Sequence, residues 1–277
     1  MSAAAAEWLT PSSLDAALEL RAGREDATVL AGGTFLGILI NQGFLSPTSF
    51  LSLGRVAGLA GVETVDGELR LGAMTTHTAV ERSEAVRAGW PVLARAFGLV
   101  ASPRVRNQAT VGGVLADADY ASDPPAVLAA LGARVVLRST GGERTVGIEE
   151  LILGYYETCI APDELLVDVR VPPAPERAVY RKFRSRSSED RPCVAVAATR
   201  AGGHVRVVVG AVAEVPQHFP DVCALADGEA LDPELREEIA RRYAERVEPM
   251  SDARGSAAYR RRVTAVEVRR ALDEIAA

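Results

Sequence analysis

Three prolines in four residues, Pro172-Pro173-Ala174-Pro175 after Val171, divide this chain more firmly than any other segment. Proline fixes φ and has no N–H to donate, so such a run extends neither a helix nor a sheet ladder. The 277 residues therefore fall into a larger part, 1–172, and a smaller one, 176–277. A hydrophobic content of 48% is enough for a core in each.

Within the first part the pattern changes near Gly61, giving units of about 1–60 and 61–172. A helix is predicted over 13–21, opened by Pro11-Ser12, with Leu14, Ala17 and Leu18 on one face. Short apolar runs at 27–31 and 50–53 read as strands flanking a helix at 35–40, a small βαβ-like unit. In the second unit, 68–71, 133–138 and 164–171 read as strands and 148–153 as a further element. Helices are predicted at 79–85 (capped by Thr75 or Thr76), 91–99 and 125–131. Beyond the prolines, strands at 193–200 and 205–212 flank Ala201-Gly202-Gly203-His204, a hairpin signature, and helices follow at 232–247 and 256–275. Strands and helices mix without a strict alternation, which predicts an α+β layout.

Two glycine pairs carry the functional signal. Ala31-Gly32-Gly33-Thr34 follows the apolar Thr28-Val29-Leu30, and Ala109-Thr110-Val111-Gly112-Gly113 follows the polar stretch 104–108. Glycine lets a phosphate approach main-chain N–H groups and accepts positive φ. Two such turns suggest a diphosphate held from two sides, although a ligand-free strand-to-helix turn has the same signature. No G-x-G-x-x-G joins a strand to a helix, which disfavours a Rossmann dinucleotide site.

The net charge of −6 argues against a general nucleic-acid binder. No apolar stretch is long enough to span a membrane, and the Ala3–Ala6 run lacks the features of a signal peptide, so a cytoplasmic protein is expected. Cys159, Cys193 and Cys223 form no C-x-x-C pair, and His77, His204 and His218 are scattered; neither an iron–sulfur cluster nor a metal site is expected here. The cysteines read as small buried hydrophobes.

Other polar residues carry competing readings. Asp117 and Asp119 read as solvated loop residues. Asp123 is either a helix cap before Pro124-Pro125 or a partner for ribose or ribityl hydroxyls. Lys182 is the only lysine among 31 basic residues, in the strip Lys182-Phe183-Arg184-Ser185-Arg186. Charge alone makes that strip a solvated face, and the alternative is a cation steadying an anionic ring or phosphate. Tyr155-Tyr156 reads as packing, with stacking on an aromatic cofactor as the alternative.

In combination the motifs resemble a known family. Leu30 to Thr34, Gly72-Ala73-Met74-Thr75-Thr76 and Arg106 to Gly113 are similar to the FAD-binding medium subunit of molybdenum hydroxylases, the xanthine dehydrogenase and carbon monoxide dehydrogenase group. The likeness continues through Ser122 to Ala126, Tyr155 to Thr158, Glu164 to Leu166, Tyr180 to Phe183 and Ser251 to Ser256 with Tyr259-Arg260-Arg261. It covers nearly the whole chain in the family's order. The resemblance implies a two-part FAD-binding domain of the vanillyl-alcohol-oxidase type, followed by a small α/β C-terminal domain. It also implies FAD contacted by Leu30, Ala31, Gly32, Gly33, Thr34, Phe35, Leu36 and Gly37 at the first turn, and with no histidine or cysteine beside either glycine turn the FAD is expected to be non-covalent. At the second turn the implied contacts are Thr110, Gly112, Gly113 and Val114. Asp123 lies on the ribityl side, Leu165 or Leu166 touches the flavin, and Lys182 or Arg184 is the cation near the ring. Phe35 and Val114 depart from the family pattern, which has polar residues there able to hydrogen-bond FAD.

The activity implied is oxidoreductase electron transfer through FAD, with no catalytic side chain or metal ligand in this chain. Electrons would come from two-iron two-sulfur clusters on a small subunit, fed by a molybdopterin large subunit, and leave to NAD, a quinone or oxygen. The implied assembly is a dimer of heterotrimers. Two alternatives stand beside it: a self-sufficient flavin oxidoreductase, for which no base near the flavin is evident, and an FAD-free structural subunit, supported by Phe35 and Val114.

Overall fold

A computed structural model of the chain describes residues 6–187 and 189–276. Residues 3–5 of the alanine run lie outside them.

The first unit is a three-stranded parallel sheet of β1 (Glu7–Leu9), β2 (Thr28–Leu30) and β3 (Ser49–Ser52), in the order β1-β3-β2. The helix Leu14–Gly23 connects β1 to β2, its first turn closed by Ser13 Oγ accepting from Ala16 N at 3.3 Å. The helix Leu36–Asn41 connects β2 to β3 and buries none of its residues. This is the βαβ unit expected, with an additional strand at Glu7.

The second unit is an antiparallel five-stranded sheet. It contains β4 (Val62–Val65), β5 (Glu68–Gly72), β6 (Arg134–Ser139) and β7 (Gly142–Gly147). A small ribbon, β8 (Ile152–Gly154) with β9 (Glu157–Thr158), precedes its central strand β10 (Leu165–Val171), and the order is β4-β5-β10-β6-β7. Residues 148–153 turn out to be a helical turn, Ile148–Leu151, running into β8. The helices Pro91–Gly98 and Pro124–Ala130 fill the core over this sheet, and every residue of the second is buried.

After the prolines comes an antiparallel sheet of β11 (Arg177–Phe183), β12 (Val194–Ala201), β13 (His204–Gly210) and β14 (Gln217–His218). The β12–β13 turn has Gly202 at φ +56° and Gly203 at φ +80°, the left-handed pair that a tight hairpin requires. The helices Pro233–Arg246 and Ala257–Ala276 cover one face. The fully buried helix Pro124–Ala130 of the preceding unit packs against the same sheet. A Cβ on Gly210 would lie 2.9 Å from Ala126 Cβ, so glycine permits that close approach.

Strand periodicity decides what the 182–186 strip does. Val179 and Phe183 pack in the C-terminal core and Arg181 pairs with Glu267 at 2.7 Å. Tyr180 and Lys182 point the opposite way, toward Asp123. Successive strand residues face opposite sides. Charge counting alone misread Lys182 as solvated; its side chain is 2% exposed.

Candidate functional site

A large cavity of about 860 Å³ is lined by residues of both units and of the C-terminal part, within the range of small-molecule and cofactor sites. Its wall includes residues 28–36 of the first unit, most of 109–123 of the second except Val111, Leu115, Ala118 and Tyr120, and Lys182, Arg191 and Arg254 of the C-terminal part.

The first glycine turn is open toward it. Gly33 sits at φ +68°, and the N–H groups of Gly32, Gly33, Thr34 and Phe35 have no hydrogen-bond partner among the described residues. A row of undirected main-chain donors on a cavity wall is an anion cradle, because unpaired donors are costly unless a ligand or water takes them.

The second turn is closed. Val111 N donates to Thr75 O (2.9 Å), Gly112 N to Ala73 O (2.8 Å), Gly113 N to Thr110 Oγ1 (3.1 Å) and Val114 N to Thr110 O (3.1 Å). Its donors are therefore satisfied internally, against the expectation that it would present them to a phosphate. Gly72 to Thr76 forms the platform beneath it, anchored by Ala73 N to Val167 O (3.0 Å) and Met74 N to Leu59 O (2.7 Å). Gly112 is glycine for packing, since a Cβ there would lie 2.7 Å from Ala73 Cβ. The two turns also touch: a Cβ on Gly32 would stand 1.9 Å from Gln108 O. Beneath them His77 donates N–H to Ala109 O (2.9 Å), and its Nε2 lies 3.2 Å from Thr110 O. Burial pushes the His77 pKa down to about 4, so the ring is neutral and Nε2 is the donor.

Asp123 stands at the N-cap of the helix Pro124–Ala130, but its side chain makes no capping hydrogen bond. Its carboxylate accepts from Tyr180 Oη (2.5 Å) and Lys182 Nζ (2.9 Å), and Lys182 also donates to Leu99 O (2.8 Å). Burial pushes the Asp123 carboxyl up, opposed by the Lys182 charge. This ion pair ties the C-terminal sheet to the helix at 124–130 on the cavity wall.

Asp119 is likewise no solvated loop residue: it is 5% exposed, accepts from Ala121 N and pairs with Arg191 at 2.7 Å. Arg191 also lies over the Phe35 ring, 6.0 Å from its centroid. Phe35 stacks on Tyr156, with centroids 5.5 Å apart and planes 12° from parallel. Tyr155 meets Tyr120 edge-on, with centroids 5.4 Å apart, so both tyrosines pack as expected while staying 43% and 52% exposed. Arg254, from the Ser251–Ser256 loop, donates to Asp252 (2.8 Å) and Tyr120 Oη (2.9 Å). Asp252 in turn holds the fully buried Arg260 at 2.7 Å. The Asp119–Arg191 pair and the Arg254–Tyr120 contact escaped sequence reasoning because the partners are distant in the chain; the Ser251–Ser256 motif was the only signal for Arg254.

Of the residues expected at the site, 30–36, Thr110, Gly112, Gly113, Val114, Asp123, Leu165, Leu166 and Lys182 all line the cavity. Gly37 and Arg184 are not among its lining residues. Cys193 and Cys223 are buried, as expected for small apolar residues, whereas Cys159 is half-buried.

Residues 4–174 match the family model of the FAD binding domain in molybdopterin dehydrogenase. The chain belongs to this family. Residues 178–275 match the CO dehydrogenase flavoprotein C-terminal domain, so an FAD-binding domain is followed by a C-terminal domain, with mixed helix and strand. The nicotine 6-hydroxylase medium subunit of Paenarthrobacter nicotinovorans is 34% identical over 277 residues, covering 99% of this chain and 98% of that one. The carbon monoxide dehydrogenase medium chain of Afipia carboxidovorans is 33% identical over 276 residues, covering 96% and 95%. Among solved structures, reconstituted CO dehydrogenase from Oligotropha carboxidovorans superposes with a TM-score of 0.92 at 30% identity, covering 100% of this chain and 99% of that one. The resemblance read from the motifs is therefore correct: this is an FAD-binding medium subunit of the molybdenum hydroxylase type, a component of an oxidoreductase. FAD is its cofactor. The cavity fits that group, with free N–H donors for a diphosphate and a volume suited to a dinucleotide. No described helix is long and apolar enough to cross a membrane.

Proposed function

We propose that this medium subunit relays electrons from iron–sulfur clusters on a small partner chain, through FAD, to an acceptor such as NAD, a quinone or oxygen. A separate molybdopterin chain would hydroxylate the substrate, and the assembly would be a cytoplasmic dimer of heterotrimers. The observation that carries this reading is the row of unpartnered N–H groups at Gly32 to Phe35 on the cavity wall. Bound FAD supplies the exchange between one-electron donors and a two-electron acceptor.

The chain's own residues bind and orient. Gly32 to Phe35 take the diphosphate, and Thr110, Gly112, Gly113 and Val114 form the opposing wall rather than a second set of donors. Leu30, Ala31, Leu36, Leu165 and Leu166 supply apolar contact. Lys182, held by Asp123, is the cation toward the ring in preference to Arg184, because only Lys182 lines the cavity. Gly37 contributes through the turn, its N–H bonded to Gly33 O at 2.8 Å. The domain limits that accompany this reading are 1–172, with sub-parts of about 1–60 and 61–172, and 176–277. The FAD domain would be of the vanillyl-alcohol-oxidase type.

Coexpression with neighbouring reading frames, followed by size-exclusion chromatography and analysis for flavin, iron and molybdenum, tests the relay. One acid-extractable FAD per chain in a complex carrying both metals is the expected result. A chain purified without flavin, or one that hydroxylates substrate alone, would overturn it.

A further inference from the structure

Complete reduction of a flavin takes two electrons and also protons, whereas iron–sulfur clusters deliver electrons only. Under the proposed relay, on which this inference rests, the cavity needs a group that exchanges protons. Its solvent-withdrawn acids are mostly engaged. Asp123 is held by Tyr180 and Lys182, and Asp119 by Arg191 and Ala121 N. Glu164 is held by Arg144 and Ala161 N, and Asp190 accepts from Ser187 N. His77 is neutral, and its unpartnered Nδ1 is sealed from solvent.

Asp117 differs. It ends the short helix Val111–Ala116, lines the cavity and is only partly exposed. Its carboxyl makes no hydrogen bond or ion pair among the described residues. The charged groups facing it are Asp119 on its own loop and Arg191 from the segment after β11, with Glu189, Asp190 and Arg254 on the same cavity wall. Burial, reinforced by the Asp119 charge and opposed by Arg191, pushes its pKa up to about 7. At that value both protonation states are populated near neutrality, as proton exchange requires. A dianionic diphosphate nearby would favour the protonated form further.

We propose that Asp117 is the proton-exchanging group of the cofactor cavity. With FAD bound, the negative charge that two electrons add to the site would draw a proton from water onto the Asp117 carboxylate, and the proton would return to water when the acceptor removes the electrons.

The test is the midpoint potential of the flavin band in the purified complex, followed with redox dyes from pH 5.5 to 9. Wild type should show a window around and above neutrality where the potential falls with pH more steeply than in Asp117→Asn, by up to one proton per electron pair. Asp117→Glu should retain the steeper window, displaced along the pH axis. Flavin content should stay within about twofold of wild type in both. Superimposable profiles for wild type and Asp117→Asn would overturn the proposal even with FAD fully bound. If Asp117→Asn fails to fold, an Asp117→Glu profile identical to wild type overturns it too. Wild-type protein without flavin would remove the relay itself, a distinct failure.

Discussion

The two glycine turns look alike in sequence and differ in what their backbones do. The first, at Gly32-Gly33, leaves its N–H groups free and faces the cavity. The second, at Gly112-Gly113, has its donors bonded to Ala73, Thr75 and Thr110, and its glycines allow close packing. Gly32 and Gly112 each exclude a Cβ because a neighbouring segment lies close, whereas Gly33 is required by its φ of +68°. A Gly-Gly dipeptide shows only that a Cβ is excluded; the surrounding hydrogen bonds show by what.

The largest effect should come where the turns meet. In Gly32→Ala the new Cβ would lie 1.9 Å from Gln108 O and 3.1 Å from Ala109 Cα, both main chain that cannot rotate away. One turn must move. Expected is a loss of about 3 kcal/mol in unfolding free energy, at the upper end for overpacking, together with loss of FAD. Urea unfolding of the flavin-free protein measures the first part. An unchanged midpoint would mean that the turns do not rest on each other.

Much of the fold was legible because its causes are local. Ser13 caps the first helix, Gly202-Gly203 make the hairpin, and the prolines after Val171 end β10 where the sequence said they would. The glycine turns were legible on the same basis, whereas the other expected site residues came from the family resemblance. What escaped was settled by distant contacts. Asp119 meets Arg191 across 72 positions of sequence, and Asp123 meets Lys182 across 59. The burial of Lys182 was still within reach, since period two from Val179 to Phe183 puts it beside Tyr180, on the face opposite Arg181. The distinct roles of the two turns were not, because the Ala73 platform under Gly112 is a contact between separate motifs.

The second turn also carries two groups that respond to acid in opposite senses. His77 lies beneath the second, and its folded pKa of about 4 is below the ordinary value of 6.5. The group is a base whose folded pKa is depressed, so its contribution is present above pH 6.5 and lost as pH falls toward 4. Between pH 7 and 5 this linkage amounts to at most about 2 kcal/mol. Asp117 has the opposite sign: a carboxyl raised to about 7 favours the folded state at low pH and loses that contribution as pH rises from about 4 through 7. Expected is that His77→Asn removes acid lability, while Asp117→Asn raises stability at pH 8 relative to pH 5. Unfolding midpoints at pH 5, 7 and 8 for the three proteins decide this. A His77→Asn protein as acid-sensitive as wild type would break the assignment.

Gly33→Ala should act mainly on the cofactor. At φ +68° a Cβ costs about 1–2 kcal/mol, and here it approaches Leu30 Cδ1 at 3.1 Å. Relief of that strain would turn the N–H row away from the cavity, so FAD affinity should fall about tenfold or more, while the flavin-free protein loses about 1 kcal/mol. Gly33→Asn, which tolerates this region better, should fall between alanine and wild type. Fluorescence titration of FAD into flavin-free protein gives the affinities. An alanine variant with unchanged affinity would mean that the first turn is as closed to the ligand as the second.

The smallest effect sharpens the comparison from the other side. Thr110→Val removes the hydroxyl that accepts from Gly113 N at 3.1 Å and leaves the side-chain volume almost unchanged. A lost cap of this kind costs about 1 kcal/mol, and because the bond lies within the protein, the cost should appear in the flavin-free state. FAD affinity should change little, since the donor that is released was not serving the ligand. Holding FAD above saturation should therefore raise the unfolding midpoint of wild type and Thr110→Val by the same amount. If the second turn instead presents Gly113 N–H to the diphosphate, freeing that donor would increase affinity, and the valine variant would gain more from FAD than wild type does. Equal gains support the division between an open first turn and a closed second one, and a larger gain in the variant would erase it.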